Sequence, residues 1–274
     1  MLRPLLKWAG GKRQLLEELT RLIPERIGTY YEPFFGGGAL FFHLWSSGAV
    51  KDAVLSDANG DLYNLYTVVR DSPARLVDAI GMLGLPNTSE AYYEARRRFN
   101  EISVAEEPVS KAALLLYLNR HCFNGLYRVN SRGHFNVPFG RYRNPSMPSP
   151  DHIGQISSAL KDATILNHDF EAAVKDCARG DLIYFDPPYM PVSRTSSFTD
   201  YNHTGFGIEE QNRLAKVAGD LDRRGVKFIL SNSGTELTRN LYCKFNIRMV
   251  QAARAINSNP SRRGKVEEII VTNF

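Results

Sequence analysis

Hydrophobic positions in this chain come as short apolar runs separated by longer stretches with helical spacing. Tyr30-Tyr31-Glu32, Ala53-Val54-Leu55-Ser56, Thr164-Ile165-Leu166, Leu182-Ile183-Tyr184-Phe185, Val226 to Asn232 and Glu267 to Val271 read as strands. Gln14 to Ile23, Ala39 to Ser46 and Ile208 to Arg224 carry the spacing of helices. From Gly60 to Leu118 the pattern is mostly helical, with apolar positions at Leu62, Leu65, Tyr66 and Val69, then Leu76, Ile80 and Leu83, then Tyr92 to Ile102 and Ala112 to Leu118. Strands alternating with helices predict an α/β fold with a doubly wound, mainly parallel sheet.

The middle third breaks that rhythm. After Asn119, glycines at 125, 133 and 140 punctuate alternating polar and apolar residues, and Ser131-Arg132-Gly133-His134 reads as a hairpin turn. The expected organisation is therefore a main domain from 1–58 and 159–274, and an inserted module at 59–158. The module is helical and carries a β-hairpin near 119–142.

The 274 residues are 43% apolar and 23% charged, ordinary for a folded domain with a sizeable core. No apolar run approaches the roughly 20 residues that span a bilayer, so no membrane partner is expected. Met1 to Lys7 lacks an extended apolar leader core, and Cys122, Cys177 and Cys243 form no C-x-x-C pair. Those features predict a reduced cytoplasmic protein without a disulfide framework. The six histidines show no ligand spacing, so no metal is expected.

The formal net charge of +5 matters less than its distribution. Pro108 to Pro150 has no acid but includes Lys111, Arg120, Arg128, Arg132, Arg141 and Arg143. Leu237 to Val266 is also acid-free and includes Arg239, Lys244, Arg248, Arg254, Arg262, Arg263 and Lys265. Segregated positive charge suits a polyanion, although solvated surface segments would look similar.

The candidate chemistry sits at strand ends. Asp186-Pro187-Pro188-Tyr189 follows the run Leu182 to Phe185, and two prolines cannot continue a sheet ladder. A carboxylate, a rigid carbonyl and a flat ring at the carboxyl end of a strand suit a planar ring bearing an exocyclic amine. A proline turn with a solvated acid is the plainer alternative. Gly36-Gly37-Gly38 after the first strand lets a ligand approach the backbone, and Asp57 ends the next strand where ribose hydroxyls would be bound. The full dinucleotide fingerprint is absent, and Gly10-Gly11-Lys12 lacks the remaining features of a phosphate-binding Walker loop.

Together these residues resemble the DNA adenine methyltransferase (Dam) family. The matching pieces are Trp8 to Lys12, Glu32 to Gly38, Asn119 to Tyr142, Asp186 to Tyr189, Ser231-Asn232 and Ser258-Asn259. The resemblance implies a Rossmann-like methyltransferase sheet, with the module at 59–158 as target-recognition domain. It implies S-adenosylmethionine as donor and adenine in double-stranded DNA, within GATC, as acceptor. For the donor it implies Trp8, Ala9, Gly10, Lys12, Glu32, Pro33, Phe34, Phe35, Gly36, Gly38, Asp57, Asp169, Phe170 and Asp186. For DNA it implies Asn124, Leu126, Arg128, Asn130, Pro138, Arg141 and Tyr142, with Arg128 reading a guanine. Asp186, Pro187 and Tyr189 are the expected catalytic residues, and Arg96, Arg97, Arg98, Arg262, Arg263 and Lys265 the expected phosphate contacts. For the run Arg96 to Arg98, a solvated helix face is an equal alternative. Phe35 and Gly37 depart from the Val and Ala common in relatives, and His121 and Cys122 from aromatic or small residues. A monomer associated with the nucleoid is expected. Two other readings stay open: methylation of another nucleic-acid amine, on cytosine or an RNA base, and a sequence-specific DNA-binding protein without turnover.

Overall fold

The computed structural model describes residues 2–8, 15–189, 206–253 and 265–274. Among these, the helices are α1 (Leu16–Arg21), α2 (Ala39–Ser46), α3 (Gly60–Asp71), α4 (Pro73–Leu83), α5 (Ser89–Glu101), α6 (Pro108–His121), α7 (Pro150–Leu160), α8 (Phe170–Ala173), α9 (Ile208–Arg223) and α10 (Glu236–Leu241). The strands are β1 (Tyr30–Glu32), β2 (Ala53–Ser56), β3 (Thr164–Leu166), β4 (Leu182–Phe185), β5 (Lys227–Ser233), β6 (Asn246–Ala253) and β7 (Lys265–Thr272). Sheet order is β3-β2-β1-β4-β5-β7-β6. The α/β class and the mainly parallel sheet agree with the apolar pattern. No helix among the described residues is long and apolar enough to cross a membrane.

The chain divides into two compact units. One comprises Met1–Gly11, Gly36–Ser47 and Asn59–Asn167; the other comprises Lys12–Phe35, Gly48–Ala58 and His168–Phe274. In the second unit β1 pairs in parallel with β2 and β4, and β4 in parallel with β5, while β7 runs antiparallel to both β5 and β6. Strand β4 is buried along its whole length, which is why Leu-Ile-Tyr-Phe reads as a continuous apolar run. Alternation divides its two faces. Ile183 and Phe185 join Tyr31, Phe228, Leu230, Ile269 and Val271 in an apolar core under α9 residues Leu214, Val217, Ala218 and Leu221. The opposite face mixes buried apolar residues such as Ile229 and Ile270 with buried polar ones: Tyr30, Glu32, Tyr184, Ser231, Ser233 and Glu268. The antiparallel strand β6 and the short helix α10 were not predicted from apolar spacing, because exposed polar residues interrupt both.

In the other unit α6 is the hub. Lys111 through Asn119 are all buried, so the helix is apolar on every side, as a central helix must be. Proline at its first position suits a helix start. Its one buried cation is satisfied locally: Lys111 Nζ donates to the carbonyls of Phe99 at 2.5 Å and Ile102 at 3.2 Å, with Asp61 3.9 Å away. Burial lowers the Lys111 pKa, and Asp61 opposes that shift. Near the end of α6, Asn119 mimics a strand neighbour. Its side chain accepts from Lys7 N at 2.8 Å and donates to Lys7 O at 2.8 Å and Gly125 O at 3.1 Å.

The predicted hairpin is present as a turn without a ladder. Asn130 N donates to His134 O at 2.9 Å, and the only pairings in this segment are isolated antiparallel bridges, Cys122 with Phe139 and Val129 with Phe135. Gly125, Gly133, Pro138 and Gly140 interrupt the alternation and keep strands from extending. Helix α7, begun by Pro150 and capped by Ser149, was likewise not anticipated.

Asn119→Ala would strip the partly buried Lys7 N–H and carbonyl of their partner. It should lower stability by roughly 1–3 kcal/mol in urea unfolding. An unchanged midpoint would show that Asn119 does not anchor the N-terminal segment.

Candidate active site

The parallel ladder between β4 and β5 ends at Phe185 opposite Leu230. Beyond it, Pro187 and Pro188 carry the chain out of the sheet, while β5 continues through Ser231, Asn232 and Ser233. Side chains then take over where backbone pairing stops. Ser231 Oγ donates to Asp186 Oδ1 at 3.1 Å, and Tyr184 Oη lies 3.0 Å from the same Ser231 oxygen. Because the serine hydrogen goes to the carboxylate, Tyr184 is the donor in the second bond. The Pro188 carbonyl accepts from Gln211 Nε2 at 3.0 Å, and Gln211 Oε1 accepts from Asn232 Nδ2 at 3.0 Å. Gln211 and Asn232 are fully buried, so this brace is shielded from water.

Tyr189 Oη donates to Glu268 Oε2 at 2.9 Å. Burial raises the Tyr189 pKa, and the nearby Asp186 and Glu268 charges raise it further. Burial likewise raises that of Tyr184, followed by Asp186 and Tyr189. On β1, Tyr30 donates to Glu32 at 2.8 Å, and burial again leads the upward shift of its phenol. These phenols are thereby held protonated as hydrogen-bond donors, Tyr30 and Tyr189 to fixed acids and Tyr184 to Ser231.

Strands β1 and β4 are neighbours whose onward connections go to opposite sides of the sheet, the switch point where open α/β sheets bind ligands. Glu32 and Pro33 at the end of β1 are buried, and Phe34 follows. Phe34 stacks on Phe170 at 5.4 Å between ring centroids, and Phe206 meets both rings edge-on at 5.5 and 5.8 Å. Phe35 N donates to Ser56 O at 2.9 Å, and Ser56 Oγ donates to His168 O at 2.9 Å, aligning the ends of β1 and β2 with the start of α8. Asp57 immediately follows β2. Asp169 caps α8 through Ala172 N at 2.9 Å and pairs with Arg213 at 2.5 Å. The Arg213 guanidinium also covers Phe170, 4.3 Å from its centroid.

In the first unit, Trp8 packs on the glycine loop. Gly36 has φ +48°, and a Cβ there would meet the Trp8 indole nitrogen at 2.8 Å, so only glycine fits. Gly38 caps α2 in a left-handed conformation. Ala9, Gly10 and Lys12 lie outside the described residues.

The expected DNA-reading residues lie in or beside the turn. Arg128 is exposed; its Nε donates to Asn136 Oδ1 at 2.7 Å and its Nη2 to Asn136 O at 3.3 Å. Asn130 builds the turn, its side chain accepting from Arg132 N at 2.9 Å and His134 N at 3.0 Å. Leu126 N donates to Phe123 O, and Pro138 O accepts from Phe123 N. Asn124 and Arg141 both have positive φ, 56° and 55°. Tyr142 is held in place: its hydroxyl accepts from Asn124 N at 3.0 Å, and Lys7 Nζ sits 4.5 Å from its ring centroid. Between them Gly140 permits close approach, since a Cβ would fall 2.6 Å from Cys122 O and 2.7 Å from the Tyr142 ring.

The arginine run on α5 has partners within its own unit. Arg96 Nη1 donates to Val137 O at 3.2 Å, bracing the hairpin. Arg97 pairs with Glu94 and Glu101, and Arg98 lies 3.6 Å from Glu107. For Arg97, i,i+3 and i,i+4 spacing brings Glu94 and Glu101 onto the same helix face. Arg254, Ser258, Asn259, Arg262 and Arg263 lie outside the described residues, and Lys265 is described by its backbone alone.

The sequence profile of the D12 class N6 adenine-specific DNA methyltransferases matches residues 8–256. The chain belongs to that family. It is 46% identical over 277 residues to the type II methyltransferase M1.LlaDCHI of Lactococcus lactis subsp. cremoris, covering 100% of this chain and 96% of that protein. It is 39% identical over 286 residues to the type II methyltransferase M.MjaIII of Methanocaldococcus jannaschii, covering 99% of each. It is 37% identical over 270 residues to the DNA adenine methylase of Escherichia coli K12, covering 98% of this chain and 94% of that protein.

In this D12-class methyltransferase, sequence reasoning missed Tyr184, Gln211 and Glu268. Only Glu268 left a trace, as an acid directly before the apolar run Ile269 to Val271. Gln211→Leu would leave the Pro188 carbonyl and the Asn232 amide without a partner. It should cost roughly 1–3 kcal/mol in unfolding free energy. It should also slow single-turnover methyl transfer at unchanged DNA affinity; wild-type behaviour in both measurements would remove the brace from the active site.

Proposed function

We propose that this enzyme transfers a methyl group from S-adenosylmethionine to N6 of an adenine in the duplex sequence GATC, with the base turned out of the helix. The observation that carries this reading is Asp186-Pro187-Pro188-Tyr189, whose acid and ring are each fastened by buried side chains at the end of β4. An exocyclic aromatic amine is a weak nucleophile because its lone pair is delocalised into the ring. The Asp186 carboxylate and the Pro187 carbonyl accept its two N–H groups, which localises the lone pair and aims it. Tyr189 stacks on the adenine and fixes its plane. Preorganised acceptors and proximity lower the barrier to a direct in-line displacement, with no covalent enzyme intermediate: the N–C bond forms as the methyl–sulfur bond breaks, S-adenosylhomocysteine leaves, and the surplus amine proton passes to the Asp186 carboxylate and on to water. The amine is unreachable inside a duplex, which is the physical reason for base flipping.

Bound S-adenosylmethionine supplies a sulfonium methyl as electrophile. The residues suit it. Phe34, Phe170 and Phe206 offer flat apolar faces for a purine, and Asp57 a strand-end carboxylate for ribose hydroxyls. Glu32, Pro33, Phe35, Asp169 and Asp186 in the second unit, and Trp8, Gly36 and Gly38 in the first, complete the assignment by family likeness. Ala9, Gly10 and Lys12 join it on the same likeness.

Segment 59–158 reads the DNA. Arg128 carries five N–H donors, enough to keep its bonds to Asn136 and present a pair to a guanine edge. Asn124, Leu126, Asn130, Pro138, Arg141 and Tyr142 shape or line the rest of the reading surface. The working form is a monomer in the cytoplasm, on the nucleoid.

Plasmid DNA from cells expressing the chain should resist nucleases blocked by methylated GATC, and Asp186→Ala should abolish that protection while DNA binding persists. Protected DNA from the Asp186→Ala strain would refute the acceptor role. Arg128→Ala should cost about 1–3 kcal/mol of discrimination at the guanine position in competition assays. Unchanged site preference would move the reading role elsewhere.

A further inference from the structure

Glu268 is a buried acid, 7% exposed, on a strand whose next residues are apolar. Register sets it opposite Ser233, on the same sheet face as Ser231 and Tyr184. Taking a carboxylate out of water is unfavourable, and an apolar side chain of similar volume there would be neutral or stabilising for the fold. The acid is therefore poorly explained by stability. The hydrogen bond it makes is to Tyr189, whose hydroxyl it accepts at 2.9 Å.

A phenol has one hydrogen to donate. Ser231 also neighbours the Tyr189 hydroxyl, but its own hydrogen goes to Asp186 Oδ1 at 3.1 Å. Asp186 and Glu268 are the two carboxylates whose charges act on this phenol. Without Glu268, the Tyr189 hydrogen can turn toward Ser231 Oγ or toward the Asp186 carboxylate, whose charge acts on this phenol.

We propose that Glu268 is a positioning residue for methyl transfer: it tethers the Tyr189 ring and draws the phenol hydrogen away from Asp186, whose carboxylate must accept the adenine amine. The proposal rests on the roles given above to Asp186 and Tyr189. It predicts that the cost of losing Glu268 depends on the Tyr189 hydroxyl.

The test is a double-mutant cycle in single-turnover methylation with labelled S-adenosylmethionine and a GATC duplex. Glu268→Met lacks an acceptor but keeps the volume. It should fold with an unlowered melting temperature, lose about tenfold in kcat, and keep its KM for both substrates. Glu268→Gln retains an acceptor and should stay within about threefold of wild type. In a Tyr189→Phe background there is no phenol hydrogen to misdirect, so Glu268→Met should add no further loss. Wild-type kcat for Glu268→Met, or an equal loss in both backgrounds, overturns the proposal while leaving the function standing. If Glu268→Met does not fold, a loss in Glu268→Gln as large as that in Tyr189→Phe overturns it, and near-wild-type turnover supports it. A wild-type chain that transfers no methyl group to adenine overturns the function reading, and this inference with it.

Discussion

Two prolines at the end of β4 are the constraint on which the active site depends. Pro187 and Pro188 have no N–H to offer, so β4 stops at Phe185 while its neighbour β5 runs on to Ser233. The tetrapeptide therefore leaves the sheet beside three residues of a strand whose other edge is still paired with β7. Ser231 holds the acid, and Asn232, through Gln211, holds the Pro188 carbonyl. A rigid sheet thus positions a loop to hydrogen-bond precision, and loops held this way are where catalytic groups are best aimed.

The polar face of the sheet carries the cost of this arrangement. Tyr30, Glu32, Tyr184, Ser231 and Glu268 are all buried where aliphatic residues would pack with less desolvation. Each named phenol is matched to an acid or a serine, so the network is satisfied rather than strained. Such networks specify one geometry, because any rearrangement leaves a buried donor or acceptor without a partner. A fixed geometry is what an amine-orienting pocket requires.

The hairpin segment at 119–142 follows another logic. Its backbone forms isolated bridges rather than a ladder, and α5 side chains supply much of the support: Asn100 bonds both the N–H and carbonyl of Phe135, and Tyr92 and Arg96 hold Val137 O. Exposed tips held by side chains open locally at lower free energy than sheet cores. Under the proposed function, a surface that fits against base edges gains from that adaptability, while the site at β4 gains from its absence.

Apolar periodicity by itself determined the α/β class, the strands β1, β2, β4 and β5, and the helices α2 and α9, because one-dimensional spacing records which faces are buried. The motif at Asp186 to Tyr189 was equally legible, since prolines after a buried strand permit little else. At the antiparallel end of the sheet β7 was legible as the run Glu267 to Val271, whereas β6 was hidden, because it is half exposed and its pattern is diluted by Arg248 and Gln251. Partners were decided only in three dimensions. Glu268 meets Tyr189 across 79 positions, Gln211 meets Pro188 across 23, and Arg96 turns to the hairpin 41 residues on. A buried polar residue is chosen by the one group it must satisfy, and that group's identity is a property of chain folding over itself, invisible to any local window.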